Sequence, residues 1–206
     1  MDKISLYVLD TRKYSFGELL ALTKLDESEI SFLERYHVLD VKKEKLVSYY
    51  FKKKYVGDYS LNERGKPISN NVFFNISDSK GMVVLAISKN REVGVDVEIL
   101  MPKDQDLVKY VCSEEEYQFV KNEIDFVSVW TSKESIVKCL GTGIKSNIKG
   151  IPALPLVGKK TYEGQAFYST SFRYGDSIIS LTLKGEEEFD YTLISEDTKH
   201  EQESRT

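Results

Sequence analysis

Three short stretches hold residue types that carry chemistry, at spacings that would bring them together. Gly94-Val95-Asp96-Val97-Glu98 alternates apolar and acidic. Strand side chains point to opposite faces in turn, so Asp96 and Glu98 would share one face and Val95 and Val97 the other. Adjacent carboxylates repel unless a cation or basic groups compensate. A hard divalent ion such as Mg²⁺ suits them, because it binds few carboxylates and keeps places for water and phosphate oxygens. The ordinary alternative for a D-x-E is an edge strand showing both acids to water.

The second stretch runs from Trp130 to Lys138 and ends at Gly141. At helical spacing Trp130, Glu134 and Lys138 fall four apart on one stripe, an odd mixture for a core. The plainer reading is an exposed Glu-to-Lys pair contributing a few tenths of a kcal/mol beside a Trp that packs. The third is Gly65-Lys66-Pro67 with Asn75-Ile76-Ser77-Asp78-Ser79, a lysine in a stiffened loop and hydroxyls at a strand end that could grip phosphate. Each piece alone is a common turn.

These residues need elements to position them. The periodicity predicts a strand over 3–9, helical material over 16–51 with Asp40 as a cap, and a loop over 57–71. Within the helical block Leu46, Val47 and Tyr50 form the inward stripe, Lys42, Lys45, Lys52 and Lys53 fall mostly off it, and Lys43 turns its stem inward. Three β runs follow at 72–76, 82–87 and 92–99, which read as an antiparallel meander. Helices are expected over 104–111, 113–120 and 124–140, the last stopped by Gly141 and Gly143, and strands over 164–174 and 176–183. The order strand, helices, strands occurs twice, with a faint echo of Phe74…Asp78-Ser79 in Phe172…Asp176-Ser177. The expectation is an α+β protein of two similar halves, 1–99 and 100–194, related by a pseudo-twofold with the site in the cleft between them. A polar tail over 195–206 is expected to be disordered.

Composition excludes several classes. The chain has 206 residues, 41% of them hydrophobic, and a net charge of −4, enough to bury a substantial core. No apolar run approaches the ~20 residues that span a bilayer, and residues 1–10 lack the features of an export signal. Cys112 and Cys139 fit neither a disulfide framework nor a metal pattern, so a reducing cytoplasm is expected. The acidic balance argues against a general nucleic-acid binder.

Taken together and in order, GKP, FNIS-x-S, GVDVE and W-x-x-KE-x-x-x-K-x-x-G resemble the 4′-phosphopantetheinyl transferases of the Sfp type. The resemblance implies Mg²⁺-dependent transfer of 4′-phosphopantetheine from coenzyme A to a serine of an apo acyl or peptidyl carrier protein, releasing 3′,5′-ADP. It assigns the metal to Asp96, Glu98 and Glu134, and the departing phosphate to Lys138. The general base would be Glu134, with Glu116 of Ser113-Glu114-Glu115-Glu116-Tyr117 as a second candidate. A run of three glutamates is more often a solvated helix face. For the coenzyme's nucleotide end it points to Lys43, Lys66, Pro67 and Ser77. One departure stands out: Asp78 occupies the place of a histidine that contacts the 3′-phosphate, and a carboxylate there would repel that group unless it turns away to cap its turn or pair with Lys80. A monomer is expected, with neither nucleic acid nor membrane as partner. The rival readings are a metal-dependent phosphodiesterase or nuclease, using the same carboxylates for water attack, and a catalytically silent carrier-protein-binding module.

Overall fold

A computed structural model describes residues 1–143 and 147–197. Strand β1 (Asp2–Asp10) leads to α1 (Phe16–Leu22), α2 (Glu27–Glu34) and α3 (Leu39–Phe51), which continues as a π-helical turn over Lys52–Val56. A small hairpin of β2 (Ser60–Leu61) and β3 (Pro67–Ile68) carries the Gly65-Lys66-Pro67 loop at its end. Then come β4 (Phe73–Ser79), β5 (Met82–Ser88) and β6 (Val93–Ile99), helices α4 (Gln105–Val111), α5 (Glu114–Phe119) and α6 (Glu123–Leu140), and strands β7 (Gly158–Tyr162), β8 (Gln165–Tyr174), β9 (Ser177–Lys184) and β10 (Phe189–Ser195). The mixed helix-and-sheet class read from the sequence is the observed one.

The strands form two four-stranded sheets, β10-β1-β5-β4 and β6-β9-β8-β7. Ile4, Leu6, Val8, Val84, Ala86, Val95, Val97, Leu181 and Leu183 fill the space between them. On the outer face of the first sheet, Leu46, Val47 and Phe51 of α3 pack on Leu9, Val83 and Leu85. On the outer face of the second, Phe126, Val127, Ile136 and Val137 of α6 pack with Phe167 and Ile178. The stack is therefore helix, sheet, sheet, helix, each sheet hydrophobic on both faces as such layering requires.

Three expectations change. The meander holds only for β4 and β5. Strand β6 pairs antiparallel with β9 in the other sheet, although the sequence grouped it with the first half. Periodicity fixes which face a strand buries and says nothing of its neighbour. Strand β10, in turn, returns to the first sheet and lies parallel to β1. Asp40 does not cap α3: the N-cap is Val38, without a side-chain bond, and Asp40 sits in the first turn, where a carboxylate still complements the helix dipole. Residues 195–197 of the expected tail are ordered. Ser195 closes β10, Glu196 accepts from Tyr50 and Lys54, and Asp197 accepts from the Asp10 amide. The remainder of that expected tail, 198–206, lies outside the described residues.

Candidate active site

Strand β6 is built to bring α6 close. Val95 and Val97 are buried between the sheets, so Gly94, Asp96 and Glu98 face the helix layer. A Cβ on Gly94 would stand 2.0 Å from the Ser135 carbonyl oxygen and 2.5 Å from the Cys139 nitrogen; only glycine allows this approach. Along α6 the small hydroxyls Thr131 and Ser135 reach Ser180 and Thr182 of β9, each at 2.7 Å. Thr131 and Ser135 thus seat the helix on the sheet and leave Glu134 and Lys138 turned toward the β4–β6 edge. Gly141 ends the helix with φ 68°, a left-handed C-cap that a side-chain-bearing residue adopts at a cost.

At that edge β4 and β6 are joined by side chains. Asn75 Oδ1 accepts from the Val95 amide at 2.9 Å, Ser77 Oγ donates to Asp96 Oδ1 at 2.9 Å, and Ser79 donates to Glu98. Lys138 Nζ lies 2.6 Å from Asp96 Oδ1 and 2.7 Å from Ser77 Oγ. Three carboxylates, Asp96, Glu98 and Glu134, thus gather around one ammonium. Burial, opposed by Lys138 and Ser77, pushes the Asp96 carboxyl up. Burial likewise raises Glu98, with the Asp96 charge adding to it. Glu134 is pushed up to about 7, first by burial and then by Asp96, with Lys138 opposing and Glu98 adding.

A hard cation fits this donor set. Asp96 Oδ2 is buried with no hydrogen-bond partner, an expensive arrangement for a charged oxygen unless something positive completes it. Among the described residues, however, no three such side chains are drawn together as a ready-made metal cluster. The sequence led us to expect three acids converged on one point. The structure holds Asp96 on Lys138 and Glu98 on Ser79.

The Gly65-Lys66-Pro67 loop faces the same place. Arg64, Gly65, Lys66, Pro67, Asn75, Ile76, Glu134, Val137, Lys138, Gly141 and Gly143 enclose a cavity of about 300 Å³. Lys66 Nζ donates to the Cys139 carbonyl at 3.0 Å and to Glu92 at 3.1 Å, which pins the loop to the end of α6. Trp130 is partly buried and packs against the core cluster that α6 shares with β8 and β9.

Other expected residues lie elsewhere. Ser77, assigned to the nucleotide end, sits within the carboxylate cluster. Lys43 is buried, as its spacing required, but donates to the Thr11 carbonyl at 3.2 Å and lines neither this cavity nor its neighbour. Asp78 neither caps its turn nor pairs with Lys80; it forms an ion pair with Lys45 at 2.8 Å. Glu116 is no solvated face. It is buried, 2.7 Å from Lys133 Nζ, and accepts from the Ser113 and Ala153 amides at 2.8 Å. A capping box at Ser113 was the signal that could have found it. The sequence reading gave no role to Arg64, to the Asn75 side chain or to Lys45: Arg64 reaches the cavity through the hairpin, Asn75 acts through the β4–β6 contact, and Lys45 meets Asp78 from α3.

Part of this chain is similar to known proteins. Residues 92–182 match the family model described as the 4′-phosphopantetheinyl transferase superfamily. The 4′-phosphopantetheinyl transferase gsp of Aneurinibacillus migulanus is 37% identical over 93 residues, covering 42% of this chain and 39% of that protein. HetI of Nostoc sp. is 31% identical over 100 residues, 42% of each chain, and psf-1 of Bacillus pumilus 31% over 104 residues, 46% of this chain and 44% of that protein. The chain thus spans about two fifths of the length of the curated relatives it matches. No helix among the described residues is long and apolar enough to cross a membrane. Segment 92–182, which includes the Asp96 and Glu98 strand and the helix bearing Glu134 and Lys138, is the part of this chain that is similar to the 4′-phosphopantetheinyl transferase superfamily.

Proposed function

We propose that this protein transfers the 4′-phosphopantetheine arm of coenzyme A to a serine hydroxyl of an apo carrier protein in the presence of Mg²⁺. The observation that carries the reading is the meeting, in one cavity, of the Lys66 loop with Glu134 and Lys138, beside Asp96 and Glu98. Asp96, Glu98 and Glu134 would hold the ion, Asp96 through its unpartnered Oδ2. When bound, Mg²⁺ supplies Lewis-acid neutralisation of the diphosphate.

The chain's own residues do the rest. Glu134, held near neutrality, takes the proton of the incoming serine hydroxyl as its oxygen bonds to phosphorus. The phosphorus–oxygen bond of the diphosphate bridge breaks, and its electrons leave on 3′,5′-ADP. Lys138 stabilises the charge that gathers on that departing phosphate. Lys66 and Pro67 line the wall on which the coenzyme lies. The two cysteines are free and buried, which agrees with a reducing cytoplasm, and a monomer suffices because one chain supplies every group named.

The test is intact-mass analysis of a panel of apo carrier proteins incubated with coenzyme A and Mg²⁺. We expect the phosphopantetheine increment with wild type and none with Asp96→Ala or Glu134→Ala, whose circular dichroism should remain native. Turnover retained by either variant would refute the assignment of the carboxylates.

A further inference from the structure

A second cavity, of about 570 Å³, adjoins the first, the two sharing Ile76 in their walls. Its lining is aromatic and cationic: Tyr36, Tyr49 and Tyr59 with Lys45 and Lys52, and Asp78 at the edge. The two lysines differ. Lys45 is neutralised by Asp78 at 2.8 Å. Lys52 has no carboxylate within ion-pair distance among the described residues; the nearby Glu29 is taken by Lys53 at 2.6 Å. Its ammonium instead lies between two rings, 4.7 Å from the centroid of Tyr49 and 4.7 Å from that of Tyr59. Ring faces attract a cation but supply no full countercharge.

With Lys45 and Asp78 cancelling, the cavity carries one net positive charge, on a half-buried group. Burial pulls the Lys52 pKa down, a further sign that its charge is under-compensated. An anionic group would supply the missing countercharge, and an aromatic wall beside it suits a heterocycle. Two of the residues expected from the sequence at the nucleotide end are engaged elsewhere, Ser77 on Asp96 and Lys43 on Thr11.

We propose that Lys52, seated between Tyr49 and Tyr59, is the specificity-determining cation for a phosphate monoester at the nucleotide end of the ligand. Resting on the transferase reading, this makes Lys52 the group by which the protein tells coenzyme A from 3′-dephospho-coenzyme A. One ligand can satisfy both cavities because they adjoin, its diphosphate near Lys138 and its monoester at Lys52.

Calorimetric titration of the full chain in Mg²⁺ with coenzyme A and with 3′-dephospho-coenzyme A tests this. Wild type should bind coenzyme A about tenfold more tightly, the size of one charge-assisted contact. Lys52→Met should bring the two affinities within about twofold by weakening coenzyme A alone, and Lys52→Arg should restore the difference. Lys52 lies at a cavity wall, so native circular dichroism is expected of both variants. If wild type binds both ligands and Lys52→Met leaves their ratio unchanged, the Lys52 assignment falls and the transferase reading stands. If wild type binds neither, both fall.

Discussion

The Lys138 ammonium bridges Asp96 Oδ1 at 2.6 Å and Ser77 Oγ at 2.7 Å, so one side chain of α6 touches both β6 and β4. That contact gathers the site: it partly compensates the carboxylates and draws the edges of two sheets to the same helix.

Without metal, Glu134 should destabilise the fold as it ionises. Its pKa is raised from 4.5 to about 7, so between those values the folded state binds more protons than the unfolded one, and stability falls as pH rises. Glu134→Gln should abolish this fall and stabilise the metal-free protein at pH 8 by on the order of 1–2 kcal/mol, after allowance for solvent screening. Urea unfolding in EDTA at pH 5 and pH 8 measures it. A slope equal to wild type would show that Glu134 does not carry the repulsion.

Lys160 has the opposite sign of dependence. It is buried, donates to Ser132 Oγ, and its pKa is pulled down from 10.5 to about 7 by burial, against the pull of Glu116. The unfolded state then binds more protons from about pH 7 to pH 10, so stability should rise through that window. Lys160→Met should remove the rise and stabilise the protein at pH 7 by roughly 2 kcal/mol, as replacement of buried charge often does. Parallel unfolding curves at pH 7 and 9 give the comparison.

Glu116 separates two roles. Its bond to Lys133 at 2.7 Å lies in the interior, with Lys160 close enough to feel its charge. Glu116→Gln leaves two buried lysines without their anion and should cost about 3–5 kcal/mol. Transfer rate per folded molecule, measured well below the melting temperature, should stay within about twofold of wild type. A loss of a hundredfold or more would return Glu116 to the reaction.

Gly94→Ala places a methyl group 2.0 Å from the Ser135 carbonyl, where backbone cannot yield without moving α6. Overpacking of this kind costs about 1–3 kcal/mol or more. Here it should lower activity further than stability predicts, because the displaced helix carries Glu134 and Lys138. Single-turnover rates at a temperature where the variant is fully folded distinguish the two losses.

Asp78→Asn frees Lys45 from its 2.8 Å partner and gives the second cavity another unpaired cation. Coenzyme A should bind several-fold more tightly and 3′-dephospho-coenzyme A unchanged. Asp78→His should shift the ratio of their Michaelis constants in the same direction; an unchanged ratio in both variants would remove Asp78 from phosphate discrimination.

The sequence made the individual faces readable and left their meetings obscure. The alternation around Asp96 and the four-residue spacing of Glu134 and Lys138 depend only on local geometry, and both place their side chains where the structure has them. The partner of β6 depends on a strand whose paired residues lie 78 to 90 positions away, and no local pattern encodes it. Lys45 and Lys52 were judged against the stripe of Leu46, Val47 and Tyr50, yet the wall they line is completed by Tyr36 and by Tyr59 beyond the helix. Glu116 looked solvated because three glutamates in a row usually are. What buries it are Lys133 and the Ala153 amide, residues contributed by later segments.

Asn75, Ser77 and Ser79 hold β4 against β6 with side-chain bonds alone, while each strand keeps its ladder with another partner. A joint of this kind can ease open without unzipping either sheet. Parting it would break those three bonds and the Lys138 bridge from Asp96 to Ser77, and would leave both ladders intact.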